Sequence, residues 1–240
     1  MSFTIVIPVF EETLALSFSK AYFSSLGINP LYVLDSKRKE RRAEVEQHLG
    51  HDVPIVDNPG NYIEASFQNL AALSPTDWIL RIDCDEAPNQ ALLAHAARFV
   101  AKPTDIYCGY DRDDIIRRGE CFEKLKYSPL FFDSQFRLFN RTKVKFVHQV
   151  HTPGFHVSKW KLPLFPLWHG PLNARIYHLQ RNFISPQQRA EKAARYDQSG
   201  QNKEMSNWIL RPDDSFKWEP FKDEAFNHFF AGWEKSQRVR

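Results

Sequence analysis

An α/β fold with a mainly parallel central sheet, a smaller mixed or antiparallel extension and C-terminal helices is the architecture this sequence predicts, on three observations. Apolar runs alternate with helix-patterned segments along the first part of the chain. The runs are nearly continuous, as strands covered by helices on both faces must be. Polar and acidic residues close them, which is where open parallel sheets gather their ligands.

In chain order, Thr4 to Val9 reads as the first buried strand, and Leu14 to Leu26 has helical spacing closed by Gly27, a residue suited to the C-cap. "LYVLD" at 31–35 is a second strand, "SKRKERRAEVEQHLG" a charged helix ending on Gly50, and "VPIVD" at 53–57 a third strand. "NPGNYIEASFQNLAAL" supplies a loop and a helix before the fourth strand, "DWILRI". This rhythm implies βαβ crossovers. After residue 104 it weakens: "DIYCGYDR", "SQFRLFN" and "KVKFVHQVHT" carry more polar interruptions, which suits mixed or antiparallel pairing. "SPQQRAEKAARY" opens a helix with Ser185 at the N-cap and Pro186 in the first turn. Phe226, Phe229, Phe230 and Trp233 then fall on one helical stripe.

A chain of 240 residues buries a full core, and one domain is expected. A formal net charge of +3 is too small to point to nucleic acid. Cys84, Cys108 and Cys121 are odd in number and form no C-x-x-C pair, which argues against a disulfide framework or a thiolate zinc site and for a reducing cytosol. "MSFTIVIPVF" lacks a basic region before its apolar run and reads as a strand, not a signal peptide. No run approaches the roughly 18 apolar residues of a membrane span.

The chemistry concentrates in "DWILRIDCDEAPNQ", residues 77–90, which places Asp83, Asp85 and Glu86 at the end of the fourth strand. Crowded carboxylates repel one another, so burying them requires a cation or a strong hydrogen-bond donor. Asp35, Asp57 and Asn58 close neighbouring strands and converge on the same rim. G-x-G-x-x-G and G-x-x-x-x-G-K-[ST] patterns are absent, so a phosphate-bearing ligand here calls for a metal. Two oxygen donors one residue apart suit Mg²⁺ or Mn²⁺, which keep open positions for diphosphate oxygens and can neutralise a diphosphate leaving group. The alternative is that Asp85 or Glu86 caps the next helix.

The ordered motifs resemble the family 2 glycosyltransferases, which share the GT-A fold. "TIVIPVFEE" is similar to that family's first strand and turn, "LYVLDS" to its second strand, and "DWILRIDCDE" to the strand bearing its D-x-D. "FRLFNRTKVKFVHQVHT" resembles the R-L-F … V-H-E stretch of bacterial members that build lipopolysaccharide core and related glycans. "IYHLQRNFISPQQRAEKAARY" resembles their later His-containing segment and K-x-x-R-Y helix. The likeness covers residues 3 to 200 and implies a transferase domain over 1–205, with a nucleotide half to about 103 and an acceptor half from 104. Residues 206–240 are expected to be an aromatic helical extension packed on it.

The resemblance implies that Asp35 hydrogen-bonds the nucleotide base, Asp83 the ribose or a metal-bound water, and that Asp85 ligates Mn²⁺ or Mg²⁺. It further implies that Pro8, Phe10 and Glu11 line the nucleotide pocket and that the helix of Asn69 faces it. Asp35 as an N-cap and Asn69 as a packing amide are the structural alternatives. Lys37, Arg38 and Lys39 replace the family's usual Asp-Gly-Ser-x-Asp turn, and Thr152 stands where its V-H-E has Glu. Family 2 enzymes invert the anomeric centre, which requires one general base. Asp133, His148 and His151 are the candidates, each histidine having hydrogen-bonded packing as its alternative. His178 is placed to complete the metal shell or bind the leaving diphosphate, a role for which His151 competes, or else opens the final helical region. Arg137 and Arg141 could grip phosphate, surface ion pairing being the default.

The implied activity is transfer of a sugar from a nucleotide-sugar, UDP-linked, to a saccharide or lipid-linked glycan. A GT-A domain that binds without turnover is the non-enzyme alternative. A sugar-phosphate nucleotidyltransferase is the enzymatic one, although "PVFEETLA" lacks the Gly-rich basic loop it needs. The aromatic stripe, with Lys222, Lys235, Arg238 and Arg240 nearby, could lie on an anionic membrane beside such an acceptor, but Asp223, Glu224 and Glu234 dilute its charge and favour docking on the domain. It could equally serve a dimer.

Overall fold

The computed structural model describes residues 2–9, 13–60, 63–102, 105–126, 134–147, 155–156, 169–198, 212 and 215–238. In chain order the elements are β1 (Phe3–Val9), α1 (Thr13–Ser25), β2 (Leu31–Asp35), α2 (Arg42–Leu49), β3 (Ile55–Val56), α3 (Phe67–Ala72), β4 (Trp78–Arg81), β5 (Glu86–Pro88) and α4 (Gln90–Phe99). There follow β6 (Tyr107–Arg118), β7 (Cys121–Leu125), β8 (Ser134–Asn140), β9 (Lys145–Phe146), β10 (Phe155–His156), β11 (Arg175–His178), α5 (Gln180–Phe183), α6 (Pro186–Gln198), β12 (Trp218–Pro220) and α7 (Glu224–Arg238).

β3, β2, β1 and β4 lie side by side and are parallel throughout, with β1 and β2 matched from Val6↔Leu31 to Val9↔Leu34 and β1 and β4 from Phe3↔Trp78 to Val6↔Arg81. Antiparallel pairing begins at β8, which joins β4 to β6, and continues through β7 to β12 at the edge. β11 runs parallel to β6 and antiparallel to β5, and so stitches the turn after β4 to the antiparallel half. The sheet is thus an α/β sheet of the expected kind, and one continuous sheet carries both halves of the chain.

Strand pleating explains why the runs are apolar throughout. Ile5, Ile7 and Val9 of β1, Tyr32 and Leu34 of β2, and Trp78 and Leu80 of β4 point into one core with helices α1, α2 and α4. Val6, Val33 and Ile79, the alternate positions, point into a second core with Phe67, Leu70 and Ala71 of α3. Pro8 fits here because Val6 O accepts from Ile82 N and residue 8 faces the same neighbour, beyond the last residue with which β4 pairs. Its missing N–H therefore costs no ladder bond.

Several local expectations hold. Gly50 caps α2 in the left-handed conformation at φ 77°, and Gly27 adopts φ 66° after α1. Ser185 Oγ accepts from Gln188 N at 3.2 Å while Gln188 Oε1 accepts from Ser185 N at 2.8 Å, a reciprocal capping box on α6. The third strand shrinks to Ile55–Val56, and "SKRKER" is a 3-10 helix preceding α2. Of "KVKFVHQVHT", Lys145–Phe146 is strand and residues 148–152 lie outside the described set.

The C-terminal segment is not purely helical: β12 adds to the sheet edge before α7 begins. Phe226, Phe230 and Trp233 of α7 are buried in the main core around Phe18, whose ring lies 5.5 Å from Phe230 and 5.3 Å from Trp233. The stripe docks on the domain. Phe230→Ala is therefore expected to destabilise the protein by about 3–5 kcal/mol in a denaturant titration. A stripe held for a membrane or a partner would show almost no loss.

Candidate active site

The chain lays down β1, β2 and β3 outward in one direction and then returns to place β4 on the other side of β1. Strand order reverses between β1 and β4, and it is outside the carboxyl ends at such a switch point that open sheets take their ligands. Residues 82–86 turn there, closed by Glu86 N donating to Asp83 O at 3.0 Å. The three carboxylates thus sit at the switch point of the parallel half.

They do not cap a helix. Glu86 opens β5, and α4 is capped by Asn89, whose Oδ1 accepts from Leu92 N at 2.9 Å. What balances two of them is Arg137, on the neighbouring strand β8 and only 2% exposed, contrary to the surface role expected for it. Its Nη2 donates to Asp83 Oδ2 at 2.9 Å and to Glu86 Oε1 at 2.5 Å. Its Nε and Nη1 are buried without a partner. Arg81 lies 3.7 Å from Asp83, and Arg112 3.8 Å from the fully buried Glu86. Burial pushes Glu86 up to about 8; the Asp83 charge adds to the rise and Arg112 opposes it.

The third carboxylate, Asp85, faces His178 at the end of β11, with Oδ2 to Nε2 at 3.5 Å. Strand register brings this about, since His178 sits opposite Glu86 of β5 and Asp114 of β6, and Leu179 N donates to Asp85 O at 2.8 Å. The other ring nitrogen, Nδ1, donates to Asp114 Oδ1. Burial and Arg112 oppose a charge on His178, yet Asp114 and Asp85 outweigh them and lift it to about 9. His178 therefore closes a strand inside the site and does not open the helical region.

Asp114 and Arg112 escaped the sequence reading. The signal was "YDRDD", four charged residues inside a strand whose flanks are buried. Alternation puts Arg112 and Asp114 on the face of Glu86 and His178, and Asp111 and Asp113 on the other. There Asp111 accepts from Arg175 Nη1 at 2.9 Å and contacts His169 Nε2 at 2.8 Å. His169 Nδ1 lies 2.8 Å from Gly170 O, so both its nitrogens are engaged and it is no candidate base.

Asp35 and Asn69 belong to a second network on the same rim. Asp35, buried, accepts from Lys37 N at 2.8 Å through Oδ1 as an N-cap and from Asn58 Nδ2 through Oδ2. Asn58 N donates to Ser36 Oγ at 3.1 Å, and Asn69 Nδ2 to Asp57 O at 2.9 Å. Pro8 is buried at the end of β1, where its carbonyl accepts from Cys84 Sγ at 3.5 Å. Arg141 lies away from this rim: it follows Asn140, which pairs with Trp78 at the start of β4, and reaches Asp77 at 3.7 Å and Ala71 O at 3.1 Å. Phe10, Glu11, Asp133, His148 and His151 lie outside the described residues.

Among the described residues, no three His, Cys, Asp or Glu side chains converge into a metal cage. Asp85 and His178 instead form a two-donor pair. Neither a protein-family model nor a curated protein matches the chain. Among solved structures, residues 1–349 of Staphylococcus aureus TarS align at 12% identity over 88% of this chain and 69% of that one, with a TM-score of 0.41. The same fragment in complex with UDP-GlcNAc aligns at 11% over 88% and 70%, with a TM-score of 0.40. A 4-diphosphocytidyl-2C-methyl-D-erythritol synthase from Anaerococcus prevotii aligns at 11% over 58% and 71%, with a TM-score of 0.36. Likenesses this loose leave the chemistry to be argued from the side chains.

A histidine whose folded pKa is raised adds stability that is complete below its unfolded value, ordinarily 6.5, and is lost as pH rises through about 9. Asp114→Asn is expected to lower the His178 pKa by at least about one unit in an NMR titration. The stability gap between wild type and variant is then widest near pH 6 and narrows toward pH 10. An unmoved His178 resonance would mean that Asp114 does not hold the ring's proton.

Proposed function

We propose that this chain is a metal-dependent, inverting glycosyltransferase that moves a sugar from a UDP-linked donor to a saccharide or lipid-linked glycan. The observation that supports it most is the run Asp85, His178, Asp114 at the switch point. A hard divalent ion that works on diphosphates takes only one or two protein donors and fills its remaining positions with substrate oxygens and water. Asp85 and His178 fit that demand, and Asp114 accepting from Nδ1 fixes the ring so that Nε2 faces Asp85, as a carboxylate behind a metal-binding histidine does. One oxygen and one imidazole donor suit Mn²⁺ at least as well as Mg²⁺. When bound, such an ion neutralises the negative charge that gathers on a departing nucleoside diphosphate.

The chain's own residues supply the rest of this reading. Arg137 holds Asp83 and Glu86 in place, so that the turn after β4 keeps one shape as ligands come and go. Asp83 is the half-buried member of the trio and is suited to accept from a ribose hydroxyl or a bound water. Asp35 and Asn58 form the wall at the ends of β2 and β3, where the base would sit. The acceptor hydroxyl gives its proton to a base on the acceptor side, for which Asp133, His151 and His148 remain the candidates.

The test is calorimetry with UDP and Mn²⁺, paired with a transfer assay over a panel of UDP-sugars. Asp85→Ala and His178→Ala are expected to lose about 10²-fold or more in activity, and Asp114→Asn about 10–100-fold in Mn²⁺ affinity. Arg141→Ala serves as the distant control. Equal activity in wild type and Asp85→Ala would end the metal role, and tight UDP binding without transfer to any acceptor would favour a binding module.

A further inference from the structure

Arg81 closes β4 two residues before Asp83, on the side of the strand that carries Ile79. Ile79 packs with Val6 and Phe67 in the second core, so Arg81 continues that apolar face toward the rim. Its guanidinium lies over the Phe67 ring, 4.5 Å from the centroid, and its Nη2 is 3.7 Å from Asp83 Oδ2. The face beneath α3 thus ends in a cation beside the carboxylates of the switch point.

Asp83 does not use up this cation. The same oxygen, Oδ2, already accepts from Arg137 Nη2 at 2.9 Å, and 3.7 Å is beyond hydrogen-bond reach. A ring contact draws on the charge of a guanidinium but takes none of its N–H donors. Among the described residues Arg81 donates no hydrogen bond: Nε is buried without an acceptor, while Nη1 and Nη2 are unbonded and open, the side chain keeping 15% exposure. Arg137 is the opposite case, with Nη2 bonded twice and Nε and Nη1 sealed inside. Of the two arginines that meet Asp83 Oδ2, one is committed to the fold and the other presents its forked end.

We infer that Arg81 grips the donor nucleotide through its two Nη groups, at the phosphate joined to the ribose. This rests on the transferase reading above, and it gives the phosphate grip expected of Arg137 and Arg141 to a residue of β4 itself. Two open nitrogens side by side match two oxygens of one phosphate. Asp83, suited to a ribose hydroxyl, selects the phosphate that is one methylene from the ribose ring. Phe67 and Asp83 hold the guanidinium before a ligand arrives, so little side-chain freedom is lost on binding.

The test is made in EDTA with neither metal nor sugar, which separates it from the metal reading. Uridine and UMP are titrated into the full chain by calorimetry. UMP is expected to bind at least about tenfold more tightly than uridine, the worth of one charge-assisted bond. Arg81→Gln is expected to erase that margin while uridine binds as before, and Arg81→Lys, which keeps the charge without the fork, to fall between the two. The inference is overturned if UMP gains nothing over uridine, if Arg81→Gln keeps the margin, or if it weakens uridine and UMP alike, as loss of a purely structural counter-ion to Asp83 would. Full Mn²⁺-dependent transfer by Asp85→Ala with the margin intact would strike the metal reading alone; transfer by the wild type with no margin would strike this one alone. No binding of either compound would overturn both.

Discussion

One buried guanidinium allows this site to exist. Arg137 reaches across from β8 and donates through a single nitrogen to both Asp83 and Glu86, the latter with no exposed surface. Burial pushes Glu86 up to about 8 even beside the arginines, and without that donor the turn would open to water or leave buried oxygens unsatisfied, at about 1–3 kcal/mol each. Acidic residues crowded after a strand suggest a cation, and part of that cation turns out to be covalently attached to the fold.

That internal cation divides the three carboxylates by role. Asp83 and Glu86 are held by arginines, whose charge does not change over the physiological range. Asp85 faces His178, a group whose charge is set by a proton and therefore can change. The arginine bonds fix the turn, while the Asp85 and His178 pair is where chemistry can exchange one positive species for another. Asp114 belongs to the second set, because its bond to Nδ1 decides which ring nitrogen faces Asp85.

Much of the fold was legible in the sequence because it rests on local rules. Runs such as "TIVIPV" and "LYVLD" declare strands buried on both faces, and the glycines at 27 and 50 and the Ser185 box declare helix ends from a few neighbouring residues. The D-x-D at the end of β4 was legible for the same reason. Partners supplied by distant strands were not. Arg137 lies 51 residues from Glu86, and nothing local marks it as buried. Asp114 and His178 meet only because β11 returns to lie beside β6, a register no periodicity encodes. The alternative that Asp85 or Glu86 caps the next helix fails because Asn89, three residues after Glu86, satisfies the helix and leaves Glu86 to the strand.

The aromatic C-terminus shows how the distant parts are joined. α7 buries Phe226, Phe230 and Trp233 against Phe18 of α1 and Phe183 of α5, and Phe230 also meets Phe122 of β7. α5 begins two residues after His178, and β7 pairs with β6, which carries Asp114. Core packing and the Asp85 and His178 pair therefore share the same short elements. A close-packed interior transmits displacement instead of absorbing it, so the packing of α7 bears on the position of His178 through α5 and on Asp114 through β6.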